Sequence, residues 1–76
     1  MPDRASNLQH QFGSIVRFER KARNLTQQEL AFAADLSLTY VGEIERGERM
    51  VSLDTVLRVA MAFNLSASEL LAKASL

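Results

Sequence analysis

Residues 26–47 read TQQELAFAADLSLTYVGEIERG, and this stretch writes two short helices almost back to back. Thr26 followed by Glu29 is a capping box, in which the Thr hydroxyl takes the Glu29 amide and the Glu side chain reaches back. The helix it opens runs to about Ala34. Asp35 and Leu36 form a break, and Ser37 caps the next helix. Gly47 ends it, as suits a left-handed residue past a helix terminus. Leu30, Ala31, Ala34, Leu36, Val41 and Ile44 make the apolar face of the pair. Small Ala31 permits a close crossing, and the short turn fixes a steep angle that leaves one face of the second helix free. On that face Thr39, Gly42, Glu43 and Arg46 project together. A mid-helix glycine costs about 1 kcal/mol relative to alanine. Close approach of another molecule is the expected reason for Gly42. In a DNA major groove, Thr touches a base edge or a thymine methyl, and Glu accepts from cytosine N4.

Working outward, Asn7 is expected to cap a first helix running through about Arg23, with residues 1–6 as a tail. Leu8, Phe12, Ile15, Val16 and Ala22 keep helical spacing. Phe18 lies beside that stripe and Glu19 interrupts it, so either the helix is rotated or Glu19 pairs at its edge. Downstream, ERMV is a loop, and Ser52 caps a fourth helix with Asp54 near its positive end. Its apolar positions include Leu53, Val56, Leu57, Ala60 and Met61, with Phe63 near its end. Ser66 and Glu69 form a second capping box, opening a fifth helix that carries Leu70 and Leu71. No β-rich alternation appears, so the expected fold is all-α with five helices.

The chain has 76 residues, the size of one small domain, in which burial is marginal and dimerisation is a cheap source of more. Cysteine is absent, which excludes disulfides and thiolate metal sites and fits a cytoplasmic, reducing setting. The start, MPDRASN, has no apolar run of the signal-peptide kind, and no stretch approaches the length of a membrane span. Nine basic and nine acidic residues give zero formal charge, so nucleic-acid binding has to rest on local placement of charge. His10 reads as a solvated histidine. No nucleophile–base pair or ligand cluster can be assembled, so neither enzyme, metal nor cofactor is expected.

Three segments in order, RKARNLTQQELA, TYVGEIERG and SLDTVLRVAMAFNLSASELL, resemble the Xre-type helix-turn-helix regulators. That group contains phage repressors, Cro proteins and the controller proteins of restriction–modification systems. The resemblance covers roughly residues 12–71 and implies a lambda-repressor-like five-helix domain with its helix-turn-helix at about 27–46. It implies that Ser37, Leu38, Thr39 and Glu43 read bases. Gln27, Tyr40, Arg46, Arg49 and the helix end at Ser52 would contact the DNA backbone. Arg20 and Glu45 match a buried salt bridge between the first and third helices. Plainer readings stand beside these: Leu38 packs inward, Glu43 pairs with Arg46, or the two arginines are solvated. The sequence departs from the pattern at Asp35, where the turn usually has Gly, at Glu19, and in GERMVSL, where Glu48 faces any nearby phosphate with the wrong sign.

One recognition helix reads few base pairs, so useful selectivity calls for two copies. Met61, Phe63 and Leu65 are the candidates for a two-fold contact, with Leu70, Leu71 or Leu76 adding to it; the alternative is that all are core. A dimer predicts a pseudo-palindromic operator with recognition helices about 34 Å apart. The resulting expectation is a homodimeric transcriptional regulator, controlled by its own concentration or by a protein partner. The other class to weigh is an adaptor or antitoxin-like module that uses the same fold for protein contacts through helices four and five.

Overall fold

The structure, a computed structural model, describes residues 3–76. It comprises α1 (Arg4–Ala22), α2 (Gln27–Ala34), α3 (Leu38–Glu45), α4 (Leu53–Ala62) and α5 (Ala67–Lys73). The first helix starts three residues before Asn7, which corrects the expected tail at positions 4–6. Asp3 outcompetes Asn7 as cap: its carboxylate accepts the Ser6 amide at 2.7 Å, and its carbonyl takes the Asn7 amide at 3.1 Å. Positions 1 and 2 of that tail lie outside the described residues.

Every later helix opens on a side-chain cap, from Thr26, Ser37, Ser52 and Ser66. Both capping boxes close in both directions. The Glu69 carboxyl is held below the usual carboxylate range, chiefly by the Ser66 amide that donates to it. That box therefore persists at neutral pH and weakens as pH falls through the lowered value.

Three connections turn on a non-glycine residue in the left-handed region: Asn24, Asp35 and Asn64. Asp35 (φ 56°, ψ 48°) makes the corner between α2 and α3 without the usual glycine, and the Leu36 amide returns to the Ala31 carbonyl at 2.9 Å. Arg58 of α4 reaches the Asp35 carboxylate at 3.1 Å and so fastens α4 to this corner. Gly47 (φ +74°) ends α3, and the His10 ring fills the space that a Cβ there would need.

Phe12, Val16, Leu30, Ala31, Ala34, Val41, Ile44, Val56, Val59, Ala60, Phe63 and Leu70 form one core to which all five helices contribute. Gly13 lets α1 and α3 cross in contact: a Cβ there would overlap the Ile44 carbonyl oxygen and lie 3.1 Å from that of Glu45. Ala22, counted in the apolar stripe of α1, is exposed, while Glu19 is buried on that helix. Of the two readings for Glu19, pairing is what occurs. Arg23 donates to its carboxylate at 2.7 Å and to the Phe63 carbonyl at 3.0 Å, and its guanidinium lies 4.7 Å from the centre of the Phe63 ring.

The fourth helix departs furthest from expectation. Val56, Val59 and Ala60 point inward, whereas Leu53, Leu57 and Met61 are 70%, 44% and 75% exposed. Phe63 and Leu70, taken as intersubunit candidates, are 2% and 0% exposed and belong to the core. With α5 turned 89° from α4, one side of α4 is filled by α2 and α5 and its outer stripe stays bare. No single helix among the described residues is long and apolar enough to cross a membrane.

Candidate nucleic-acid interface

The corner of α2 and α3 is held from beneath by a buried polar cluster. Arg20 Nε donates to Glu45 Oε2 at 2.6 Å, and Arg20 Nη2 to Oε1 at 3.1 Å. Its third nitrogen, Nη1, donates to the Leu25 carbonyl at 2.7 Å. Gln27 Nε2 adds a bond to Glu45 Oε1 at 3.0 Å. One carboxylate on α3 thus ties down α1 and the first turn of α2, and Arg20 in turn holds the loop between them. No buried side-chain polar atom among the described residues lacks a hydrogen-bond partner. Bonding Gln27 to Glu45 turns its amide group toward the protein.

With Val41, Ile44 and Glu45 packed inward, the other edge of α3 faces solvent. Ser37, Leu38 and Thr39 are exposed there and Glu43 is half-buried. Leu38 thus points outward, toward solvent and not the core. The Ser37 Oγ accepts the Tyr40 amide at 3.1 Å, which leaves its hydroxyl hydrogen free to donate.

Gly42 corrects an expectation. It is buried, and the space above it is taken by the chain's own Arg46, whose Nη1 would lie 3.0 Å from a Cβ at position 42. The open edge is therefore Leu38, Thr39 and Glu43, with the Arg46 guanidinium roofing Gly42.

The charges on this edge are paired. Arg46 grips Glu48 with two bonds, Nε–Oε2 at 2.9 Å and Nη2–Oε1 at 3.2 Å. This hydrogen bonding raises the Arg46 pKa and lowers that of Glu48, so both stay ionised near neutral pH. Arg49 Nη1 lies 3.7 Å from Glu43 Oε1, and its guanidinium sits 5.5 Å from the centre of the Tyr40 ring. Glu43 therefore pairs with Arg49, not with Arg46 as the plainer reading had it. Tyr40 is half-buried and its hydroxyl meets Thr55 Oγ1 at 3.2 Å. Thr55 in turn accepts from Ser52 Oγ at 3.1 Å, so Tyr40 braces α3 against the start of α4. Long side chains on a loop have no periodicity to read, so the sequence alone does not give these pairings. The one available signal was the alternation of sign in ERGER.

A capped helix pair set at a tight corner, with the outer edge of its second member exposed, is the geometry of a helix-turn-helix. Comparison with known proteins agrees. The helix-turn-helix (HTH_3) family profile matches residues 16–70. Control protein C.BamHI of Bacillus amyloliquefaciens is 40% identical over 67 residues, spanning 87% of this chain and 83% of its own. Control protein C.SmaI of Serratia marcescens is 43% identical over 61 residues, spanning 80% and 73%. Among solved structures, the restriction–modification controller protein C.AhdI from Aeromonas hydrophila superposes with a TM-score of 0.79 at 42% identity, over 82% of this chain and 94% of that one. The chain belongs to the helix-turn-helix family and is a DNA-binding transcriptional regulator.

Proposed function

We propose that this regulator is a cytoplasmic homodimer that reads a pseudo-palindromic operator, in the manner of a restriction–modification controller protein. The observation that carries the reading is the bare outer edge of α3, held at a fixed angle by the Arg20–Glu45 cluster beneath it. Ser37, Leu38, Thr39 and Glu43 are assigned to base edges. Arg46, Arg49 and the amide end of α4 at Ser52 are assigned to phosphates. Tyr40 acts from the groove wall as a brace, and Gln27 orients the first turn of α2.

The test is a mobility-shift titration against operator fragments, including the DNA upstream of the protein's own coding sequence. A salt-sensitive, sequence-selective shift at or below micromolar protein is expected; its absence would overturn the reading. Thr39→Ala with Glu43→Ala should reduce discrimination between operator and scrambled DNA by roughly ten-fold or more, since each base contact is worth about 1–3 kcal/mol. Unchanged discrimination would remove α3 as the reading element and favour an adaptor role.

The outer stripe of α4 is the dimer face in this proposal. Leu53, Leu57 and Met61 recur every four residues along one exposed edge of α4. Leu71 and Leu76 lie apart from it, beside a small apolar cavity of about 150 Å³ under Met50 and Val51. A Leu57→Glu, Met61→Glu variant is expected to run as a folded monomer in light scattering and to lose the operator shift at concentrations where the parent binds. An unchanged dimer would place the contact elsewhere.

A further inference from the structure

The edge of α3 that faces DNA in the reading above carries its own counter-ions: two arginines, Arg46 and Arg49, and two glutamates, Glu43 and Glu48. The two pairs are built differently. Arg49 meets Glu43 through one long contact of 3.7 Å and leans on the Tyr40 ring. Arg46 instead offers the fork of Nε and Nη2 to both Glu48 oxygens, at 2.9 and 3.2 Å, while its Nη1 end lies across the bare backbone of Gly42. A planar guanidinium receives a phosphate through the same two-point geometry that it uses for a carboxylate. The Glu48 carboxylate thus takes up, in the free protein, the two-point donor face of Arg46 that could receive a phosphate oxygen pair. Gly42 keeps the guanidinium flat, since a side chain there would lift it.

We propose that Glu48 is a built-in competitor for phosphate, whose carboxylate lowers DNA affinity by occupying the Arg46 fork until a DNA phosphate displaces it. The proposal rests on the DNA-binding reading of α3. Non-specific complexes are held almost wholly by phosphate neutralisation, so a carboxylate lodged on one of the cations weakens them by at most one phosphate contact. In the operator complex, base contacts fix α3 in one register and bring one phosphate to the fork at a fixed distance. Exchange then proceeds, and Glu48, on an exposed loop, swings to solvent. The operator complex therefore bears the whole cost of parting the pair, and Glu48 weakens binding to operator at least as much as to other DNA.

The test compares the full chain with Glu48→Gln, Arg46→Gln and the double variant on two duplexes, the operator selected by the parent protein and a scrambled one, by fluorescence anisotropy across a salt series. Glu48→Gln should tighten binding to operator by roughly five-fold and to scrambled DNA by no more than that, from the size of one near charge interaction in water. The salt dependence on scrambled DNA should steepen by about 0.9, one added phosphate contact. In the Arg46→Gln background the same change should move either affinity by less than about two-fold. Tightening that persists without Arg46 would overturn the proposal by showing a general charge effect, and an operator affinity unchanged by Glu48→Gln would overturn it by showing that Glu48 does not compete for the fork. A parent protein that selects no duplex would overturn the DNA reading itself, and this proposal with it.

Discussion

Arg20→Met alone is expected to cost about 3–5 kcal/mol of folding stability, the usual consequence of stranding one member of a buried ion pair. The Glu45 carboxylate, whose side chain is 1% exposed, would keep only the Gln27 amide as a partner. A domain of this size has a total stability of the same order, so much of the variant should be unfolded at room temperature. Arg20→Met with Glu45→Met should recover most of the loss, because two apolar side chains of similar volume leave no charge behind. Urea denaturation measures both, and the midpoints should shift with little change in slope. A single-variant loss under about 1 kcal/mol would mean that the pair behaves as a solvated surface bridge. It would also mean that α3 is not anchored from beneath.

Gly13→Ala is expected to destabilise by about 2 kcal/mol or more, although alanine gains about 1 kcal/mol in helix propensity. The added Cβ would be driven into the Ile44 carbonyl, which is backbone of α3 and cannot rotate away. Separating α1 from α3 to relieve it would stretch the Arg20–Glu45 bonds that cross the same interface. Gly42→Ala makes the contrast. There the nearest atoms belong to the end of the Arg46 side chain, which can swing aside, so its stability should stay within about 1 kcal/mol of the parent. Thermal melts of the two variants side by side check the difference. Similar melting temperatures would show that the α1–α3 crossing is looser than described.

The two glycines also show how far the sequence could be read. A glycine inside a helical pattern signals close approach, and that rule applies to both. At Gly13 the approaching group is another helix of the same chain; at Gly42 it is a side chain one turn along. Sequence carries the need for space but not who fills it. The caps were legible because each is a local bond between residues three apart: Thr26 with Glu29, Ser66 with Glu69, and the serines at 37 and 52. The inward face of α4 was not. Leu53, Val56, Leu57, Val59, Ala60 and Met61 are apolar nearly all round, so periodicity alone does not choose a side. Packing by α2 and α5 chooses it, which buries Phe63 and Leu70 and bares Leu53, Leu57 and Met61. Arg20 and Glu45 were placed by resemblance to a family, not by any spacing, since they are 25 positions apart.

The central claim is that the outer edge of α3 enters the major groove while its inner edge stays locked to Arg20. Amide NMR spectra of the isotope-labelled protein, titrated with the selected duplex, test it most directly. The largest shifts are expected on Ser37, Leu38, Thr39 and Glu43 and on the loop through Arg49, with Leu30, Val59 and Leu70 barely moving. Shifts confined to α4 and α5, with the amides of residues 37–43 unmoved at saturation, would contradict it.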